Sequence, residues 1–275
     1  DTSFKNYYGV GAAAFALKLI FYPLLIRAVG VFSSIFGTWF VRVKKDSEMK
    51  DPMRPITLGY WMSALASIVG FAAVTYFYLI DPITGKPDFR FFLATSLGIV
   101  LALVTLWLTN YFTHPDKSPT TETAYAAKTG AATLILSGMA QGLESTVWAI
   151  LTIGLTILAC LFIFPNSVAL AAYGIALVGL GLLATTGYIL AMDTYGPITD
   201  NAHGIFEMSG IKQEEKAAKT LAWMDAIGNT TKALTKGLAI ATAVIAAISL
   251  FRSFIEEAHL LQTGIQINLP IVFVG

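Results

Sequence analysis

The chain has 275 residues, of which 56% are hydrophobic and only 13% are charged, and its formal net charge at pH 7 is +1. Its mean hydropathy is +0.68. A soluble domain carries charge at about one residue in four, so this composition excludes an ordinary soluble protein, and the near-neutral balance gives no indication of a nucleic-acid partner. The single cysteine, Cys160, excludes an internal disulfide and a cysteine-based metal site. Its apolar surroundings predict a buried, unreactive thiol.

Apolar runs separated by polar breaks predict an all-α, polytopic transmembrane helix bundle with six full spans. The spans lie at 12–41, 58–80, 90–112, 129–163, 166–195 and 222–251, and a seventh begins near Leu269. The runs at 129–163 and 166–195 exceed the bilayer thickness, so these helices should tilt or project into water.

The two ends of the chain indicate an internal portion of a longer protein. The sequence starts at Asp1 without a methionine or a signal-peptide pattern, and it stops inside a further apolar run, INLPIVFVG. We therefore expect residues 1–275 to form a single transmembrane helical region that is a fragment of a larger membrane domain.

Lysine and arginine are distributed unequally between the connecting loops. One side has ten: Arg42, Lys44, Lys45, Lys50, Arg54, Lys117, Lys128, Lys212, Lys216 and Lys219. The other side has three: Lys86, Arg90 and Arg252. Because cytoplasmic loops carry the excess of positive charge, we expect the first set in the cytoplasm and the amino end of the chain outside.

Polar and charged groups, which are costly to place inside a membrane, lie where the fifth span should leave it, in the segment DTYGPITDNAHGIFEM. Asp193 and Asp200 are two helical turns apart, so a continuing helix would place them on one face. Pro197 lies between them and should loosen the hydrogen bonding of such a helix.

The following span opens with a second set of polar groups. Asp225, Asn229, Lys232 and Lys236 form one stripe along an otherwise apolar helix. Lysines near a helix end can simply snorkel to water, but a stripe of three turns indicates a partner, a cavity or a pathway. Carboxylate and amide oxygens beside lysine amines suit a hydrated magnesium ion with phosphate oxygens. They would also suit a cation transporter.

The exact residue order of these two segments is more specific than their composition. DTYGPITDNAHGIFEM followed by DAIGNTTKALTKGLAIATA resembles the membrane-integral inorganic pyrophosphatases, the ion-pumping family. The family pattern is D-x-Y-G-P-[IV]-x-D-N-A-G-G-I-x-E-M, then D-x-x-G-N-T-T-x-A-x-x-K-G. The resemblance implies a homodimer with sixteen helices per subunit, of which this chain would be about the seventh to the start of the thirteenth. It also implies hydrolysis of cytoplasmic magnesium-pyrophosphate and outward pumping of protons or sodium ions.

The resemblance also assigns roles to individual residues. Asp200 matches the aspartate that binds magnesium-pyrophosphate, and Asn229 matches an asparagine of the same site. Lys236 matches the lysine of the potassium and phosphate region, and Asp193 matches the earlier aspartate of the motif, a further candidate metal ligand. The cofactor implied is Mg²⁺.

Two positions divide the family by potassium dependence. Potassium-requiring members have alanine, then glycine or alanine, where this chain has Lys232 and Thr235. The Lys/Thr pair is the pattern of the potassium-independent, proton-pumping members. A tethered ammonium group can supply the charge of a potassium ion, so potassium should not be required.

The chain also departs from the family pattern. His203 replaces the first glycine of DNAGG, and we expect a structural histidine packed under a loop. Asn110 stands where many members carry a glutamate, which leaves the role of its segment open. The aspartate-rich and gate motifs of the family lie outside these residues, so the fragment alone should be inactive.

The sequence thus predicts part of a potassium-independent proton-pumping pyrophosphatase in a bacterial inner membrane, with its site facing the cytoplasm. The alternatives are a secondary cation transporter, whose polar site lies between broken helices and performs no hydrolysis, and a catalytically dead scaffold.

Overall fold

A computed structural model describes residues 4–5, 8–42, 51–165, 167–210 and 215–258. These residues are predominantly helical, with an isolated antiparallel bridge between Ile80 and Pro87. The α-helices within the described ranges are α1 (Ala12–Thr38), α2 (Met53–Tyr78), α3 (Phe89–Thr113), α4 (Ser118–Ala126), α5 (Ala131–Ile163), α6 (Val168–Leu182), α7 (Thr186–Met208) and α8 (Glu215–Glu257).

The predicted class, an all-α polytopic bundle, is confirmed. Within the described residues, five stretches of helix are long and apolar enough to cross a membrane, and a sixth is obtained if α6 and α7, which meet at a 45° bend, are one span. These correspond in order to the six predicted spans. The predicted seventh span near Leu269 lies outside the described residues.

Most helix bounds agree with the apolar runs to within a few residues, and the differences have local causes. Helix α2 begins at Met53 instead of near residue 58. It can do so because Pro55 is in its first turn, where the missing amide hydrogen is not needed. The short helix α4 was not predicted, since it is polar and carries Pro119 at its start.

The fifth predicted span, 166–195, is wrong as a single helix. The chain breaks after Leu182 and restarts at Thr186, and α7 then continues to Met208. The segment 196–208, which was predicted to connect two spans, is therefore helical. Pro197 only removes the hydrogen bond that its amide would make to the Asp193 carbonyl, and the helix passes through it.

Helices α3, α6 and α8 form the centre of the described bundle, with α1 and α2 on one flank. The backbones of α3 and α6 touch: a Cβ on Gly98 would lie 2.1 Å from the carbonyl oxygen of Val178, and one on Gly181 would lie 2.0 Å from that of Thr95. Glycine is needed for this approach, as in other membrane helix pairs. Helix α5 packs through its last turns, where Cys160 is buried as predicted, and most of its remaining surface is exposed.

Candidate active site

Helices α7 and α8 make the most extensive contact of any two described elements, and this contact builds the site. A Cβ on Gly196 would lie 2.7 Å from the Lys232 side chain and 2.8 Å from the carbonyl oxygen of Gly228. A Cβ on Gly228 would lie 2.4 Å from the Thr199 hydroxyl. The glycines of the two motifs thus let the helices approach closely enough for side chains on either side of the crossing to meet.

The Lys232 side chain connects the two motifs. Its ammonium group donates to Oδ2 of Asp200 and to Oδ1 of Asn229, each at 3.3 Å. The Lys232 side chain is 31% exposed and that of Asp200 is 59% exposed. The lysine is thus partly enclosed between the helices, while the carboxylate is exposed on the surface of the described bundle.

The other predicted site residues are not bonded to this cluster within the part of the chain that the structure describes. Asp193 is half-buried in α7, in the same unbroken helix as Asp200. Thr235 donates to the carbonyl of Thr231 in its own helix. Lys236 is exposed on α8. The structure therefore brings Asp200, Asn229 and Lys232 together, and the roles assigned to Asp193, Thr235 and Lys236 stay predictions.

His203 lies in α7 and not under a loop, because the motif that contains it is helical. Its Nδ1 is 3.1 Å from Oδ2 of Asp225 on α8, and its Nε2 is 3.7 Å from the Glu207 carboxylate. The other oxygen of Asp225, Oδ1, is buried without a hydrogen-bond partner among the described residues. His203 thus makes a second polar contact between α7 and α8, one turn beyond Asp200.

The predicted cytoplasmic loops meet at the end of the bundle that carries this cluster. His114, which follows α3, lies 3.9 Å from the Asp51 carboxylate that precedes α2, and its ring is 6.1 Å from that of Trp223 on α8. The Thr230 hydroxyl donates to the carbonyl of Thr113 at the end of α3. These contacts place the segments around Asp51, His114 and Trp223 at one end of the described bundle, and the side of the membrane that this end faces stays a prediction.

One charged residue that no motif indicated lies beside the break between α6 and α7. Arg27, in the middle of α1, donates from Nη1 to the main-chain carbonyl of Leu183 at the break between α6 and α7. A single arginine inside the apolar run YPLLIRAVGVF was the available signal, because an ionisable side chain at membrane depth indicates a partner.

The oxygen atoms of the cluster fit part of a magnesium site. Magnesium is usually held by one or two carboxylates together with substrate phosphates and water, and Asp200 offers an accessible carboxylate beside the amide oxygen of Asn229. Among the described residues no group of three or more His, Cys, Asp or Glu side chains could hold a metal ion. The described residues thus offer two oxygen ligands of the kind that magnesium uses, and not a complete coordination shell.

Comparison with known proteins gives a family match along almost the whole chain. Residues 2–275 match the family model described as inorganic H⁺ pyrophosphatase. A K⁺-insensitive pyrophosphate-energized proton pump of Chloroflexus aurantiacus is 40% identical over 285 residues, which cover 97% of this chain and 36% of that protein.

Two further relatives show the range of names in the family. A K⁺-insensitive pyrophosphate-energized proton pump 2 of Moorella thermoacetica is 41% identical over 95% of this chain and 38% of its own length. A putative K⁺-stimulated pyrophosphate-energized sodium pump of Clostridium tetani is 33% identical over 99% of this chain and 40% of its own length. The chain thus spans 36–40% of the length of these relatives. It belongs to the inorganic H⁺ pyrophosphatase family.

Proposed function

We propose that the full-length form of this family member hydrolyses magnesium-pyrophosphate to phosphate and couples the reaction to outward proton transport. The observation that carries the proposal is the Asp200–Lys232–Asn229 cluster, which two motifs form at the crossing of α7 and α8. The names of the relatives support a pump over the transporter or scaffold alternatives.

In this proposal, each residue of the cluster has a separate task. The Asp200 carboxylate binds magnesium-pyrophosphate, and the Asn229 amide oxygen is a further polar contact in the same site. The Lys232 ammonium group holds both oxygens in place and directs positive charge toward the phosphates, where charge accumulates as the leaving group departs. The magnesium ion, when bound, neutralises phosphate charge. Lys236 and Asp193 are proposed as an additional phosphate contact and an additional metal ligand.

Lys232 is also the proposed reason that potassium is not required. Its ammonium group lies between a carboxylate and an amide oxygen, which are the kinds of ligand that a bound monovalent cation would use. Thr235, one turn further along α8, completes the pattern. The Chloroflexus and Moorella relatives are named as K⁺-insensitive, which supports this proposal.

The proposed setting is a bacterial inner membrane, with the cluster facing the cytoplasm and the protein acting as a homodimer. The excess of lysine and arginine in the loops at the cluster end supports the orientation. The bacterial relatives support the membrane. The homodimer rests on the family resemblance.

The test is pyrophosphate hydrolysis by the full-length protein and its Asp200→Asn variant. Loss of one charged ligand should lower turnover about a hundredfold or more, because the lost contact acts on the transition state. The matched control is Glu207→Gln on the same helix, since this carboxylate is 68% exposed and lies 3.7 Å from the His203 ring, outside the Asp200–Lys232–Asn229 cluster. Near-normal hydrolysis by a folded Asp200→Asn protein would contradict the site.

A further inference from the structure

Arg27 is a charged residue at considerable depth in the membrane. It lies 15 residues after the first residue of α1, which has 27 residues. At ~1.5 Å per residue this is about 22 Å along the helix, well inside a hydrocarbon core about 30 Å thick. A guanidinium group at such depth is costly unless a polar partner compensates it.

The partner of Arg27 is the broken end of α6. Its Nη1 donates to the carbonyl of Leu183, the residue that follows the last residue of α6. The same carbonyl accepts the Thr186 amide at 3.1 Å, in the turn that starts α7. The Thr186 hydroxyl donates to this carbonyl as well. The last carbonyls of a helix carry partial negative charge, so the broken helix end offsets the positive charge of the arginine.

The two residues after Leu183 are also held by the flanking helices. Ser34 of α1 donates to the carbonyl of Ala184 at 3.4 Å, and a Cβ on Gly30 would lie only 2.5 Å from that same oxygen. The Thr185 hydroxyl donates to the hydroxyl of Tyr60 on α2 at 3.2 Å. Three consecutive residues of the break are thus fixed to α1 and α2.

We propose that the α6–α7 break is a hinge about which α7 can rotate, and that Arg27 holds the break in one orientation. Arg27 is therefore a positioning residue for Asp200. Asp200 lies 15 residues beyond Thr185, about 22 Å along α7. A rotation of about 10° at the break would move a group at that distance by about 4 Å. This displacement exceeds the 3.3 Å that separates the Asp200 carboxylate from Lys232, and a misplacement of about 1 Å can already cost a hundredfold in rate. For its effect on activity the inference rests on the proposed function.

The test measures the hinge directly, by electron paramagnetic resonance distances in the full-length protein. Spin labels are placed at the exposed residues Val168, at the start of α6, and Ile205, near the end of α7, in a Cys160→Ala background. Arg27→Gln should shift or broaden the label distance by several ångströms, and Arg27→Lys, which keeps a cation, should retain most of the wild-type distribution. The control is Lys18→Gln: this lysine is also inside α1, but it faces the Tyr78 ring at 5.9 Å and not the break.

Hydrolysis provides the second measurement. Arg27→Gln should lower kcat/KM for magnesium-pyrophosphate about a hundredfold, and Arg27→Lys should recover to within about tenfold of wild type. An unchanged distance distribution in Arg27→Gln, or an equal change in Lys18→Gln, would overturn the inference. If Arg27→Gln does not fold, Thr185→Val removes the contact of the break to Tyr60 and must still shift or broaden the label distance; an unchanged distance would overturn the inference. A shifted distance in a protein that never hydrolyses pyrophosphate would refute the proposed function and leave the hinge standing.

Discussion

Replacement of Lys232 by alanine should make the full-length protein depend on potassium. The ammonium group contacts Asp200 and Asn229 at 3.3 Å each, so Lys232→Ala leaves two oxygen ligands facing an empty space. A potassium ion can enter that space and supply the lost charge. The additional change Thr235→Gly should make more room for the hydration shell of the ion.

The effect on activity should exceed the effect on stability. A partly exposed ion pair contributes about 0.2–1 kcal/mol, and the bond from the charged ammonium group to the exposed Asn229 contributes about 1.5 kcal/mol, the low end for bonds to charged groups, so the free energy of unfolding should fall by about 1.5–2.5 kcal/mol. Removing a positive group that acts on the transition-state charge typically lowers turnover by about 10²–10³. A folded but inactive variant is therefore expected in the absence of potassium.

The assay compares hydrolysis in sodium-only and potassium buffers of equal ionic strength. Wild type should be indifferent to potassium, and Lys232→Ala should recover to within about tenfold of wild type when potassium is added. The control is Lys219→Ala on the same helix, because this lysine is 76% exposed and pairs with Glu215 on the surface of α8. If Lys232 merely snorkels to the interface, Lys232→Ala should do little. Strong potassium stimulation of wild type, or none in the Lys232→Ala/Thr235→Gly protein, would show that the Lys232 ammonium group does not replace a potassium ion.

The other predictions concern the remaining parts of the site. Asn229→Ala should abolish hydrolysis with little loss of stability, because Asn229 is an exposed residue; turnover near wild type would contradict its role. Gly196→Ala should destabilise the α7–α8 contact by about 1–3 kcal/mol through overpacking, measured as a lower thermal unfolding temperature, whereas Gly204→Ala, which meets nothing within 4 Å, should not. An impermeant thiol reagent applied to intact cells should label a cysteine at position 86 and not one at 216; the reverse pattern would invert the proposed orientation.

Most of the fold could be predicted because the bilayer imposes a simple rule on composition. Apolar runs of sufficient length must be helical when no water can satisfy the backbone, so the six spans were found in order. Helix ends are harder to predict, since a helix can leave the membrane without any change in backbone hydrogen bonding. The polar segment after Tyr195 was predicted as a connection for this reason, although it continues α7.

The break between α6 and α7 was not predictable from hydropathy, because its residues, LLATTG, carry no charge and stand inside a continuous uncharged run. Two carbonyls of the break accept hydrogen bonds from Arg27 and Ser34, and its Thr185 hydroxyl donates to Tyr60. All three partners lie far away in sequence. The contact of Lys232 with Asp200 was within reach of the sequence, since both residues belong to recognisable motifs. The His203–Asp225 contact was not, because it depends on the helical form of the motif.

The proposed coupling of hydrolysis to proton transport is tested most directly by pyrophosphate-driven proton uptake into sealed vesicles. The vesicles contain the full-length protein and are kept in potassium-free buffer. Addition of magnesium-pyrophosphate should acidify the vesicle interior when the cluster faces outward, and a protonophore should abolish the signal. Asp200→Asn vesicles should show neither uptake nor hydrolysis. Hydrolysis without any proton uptake, or ion transport that does not consume pyrophosphate, would contradict the proposal that pyrophosphate hydrolysis drives proton transport.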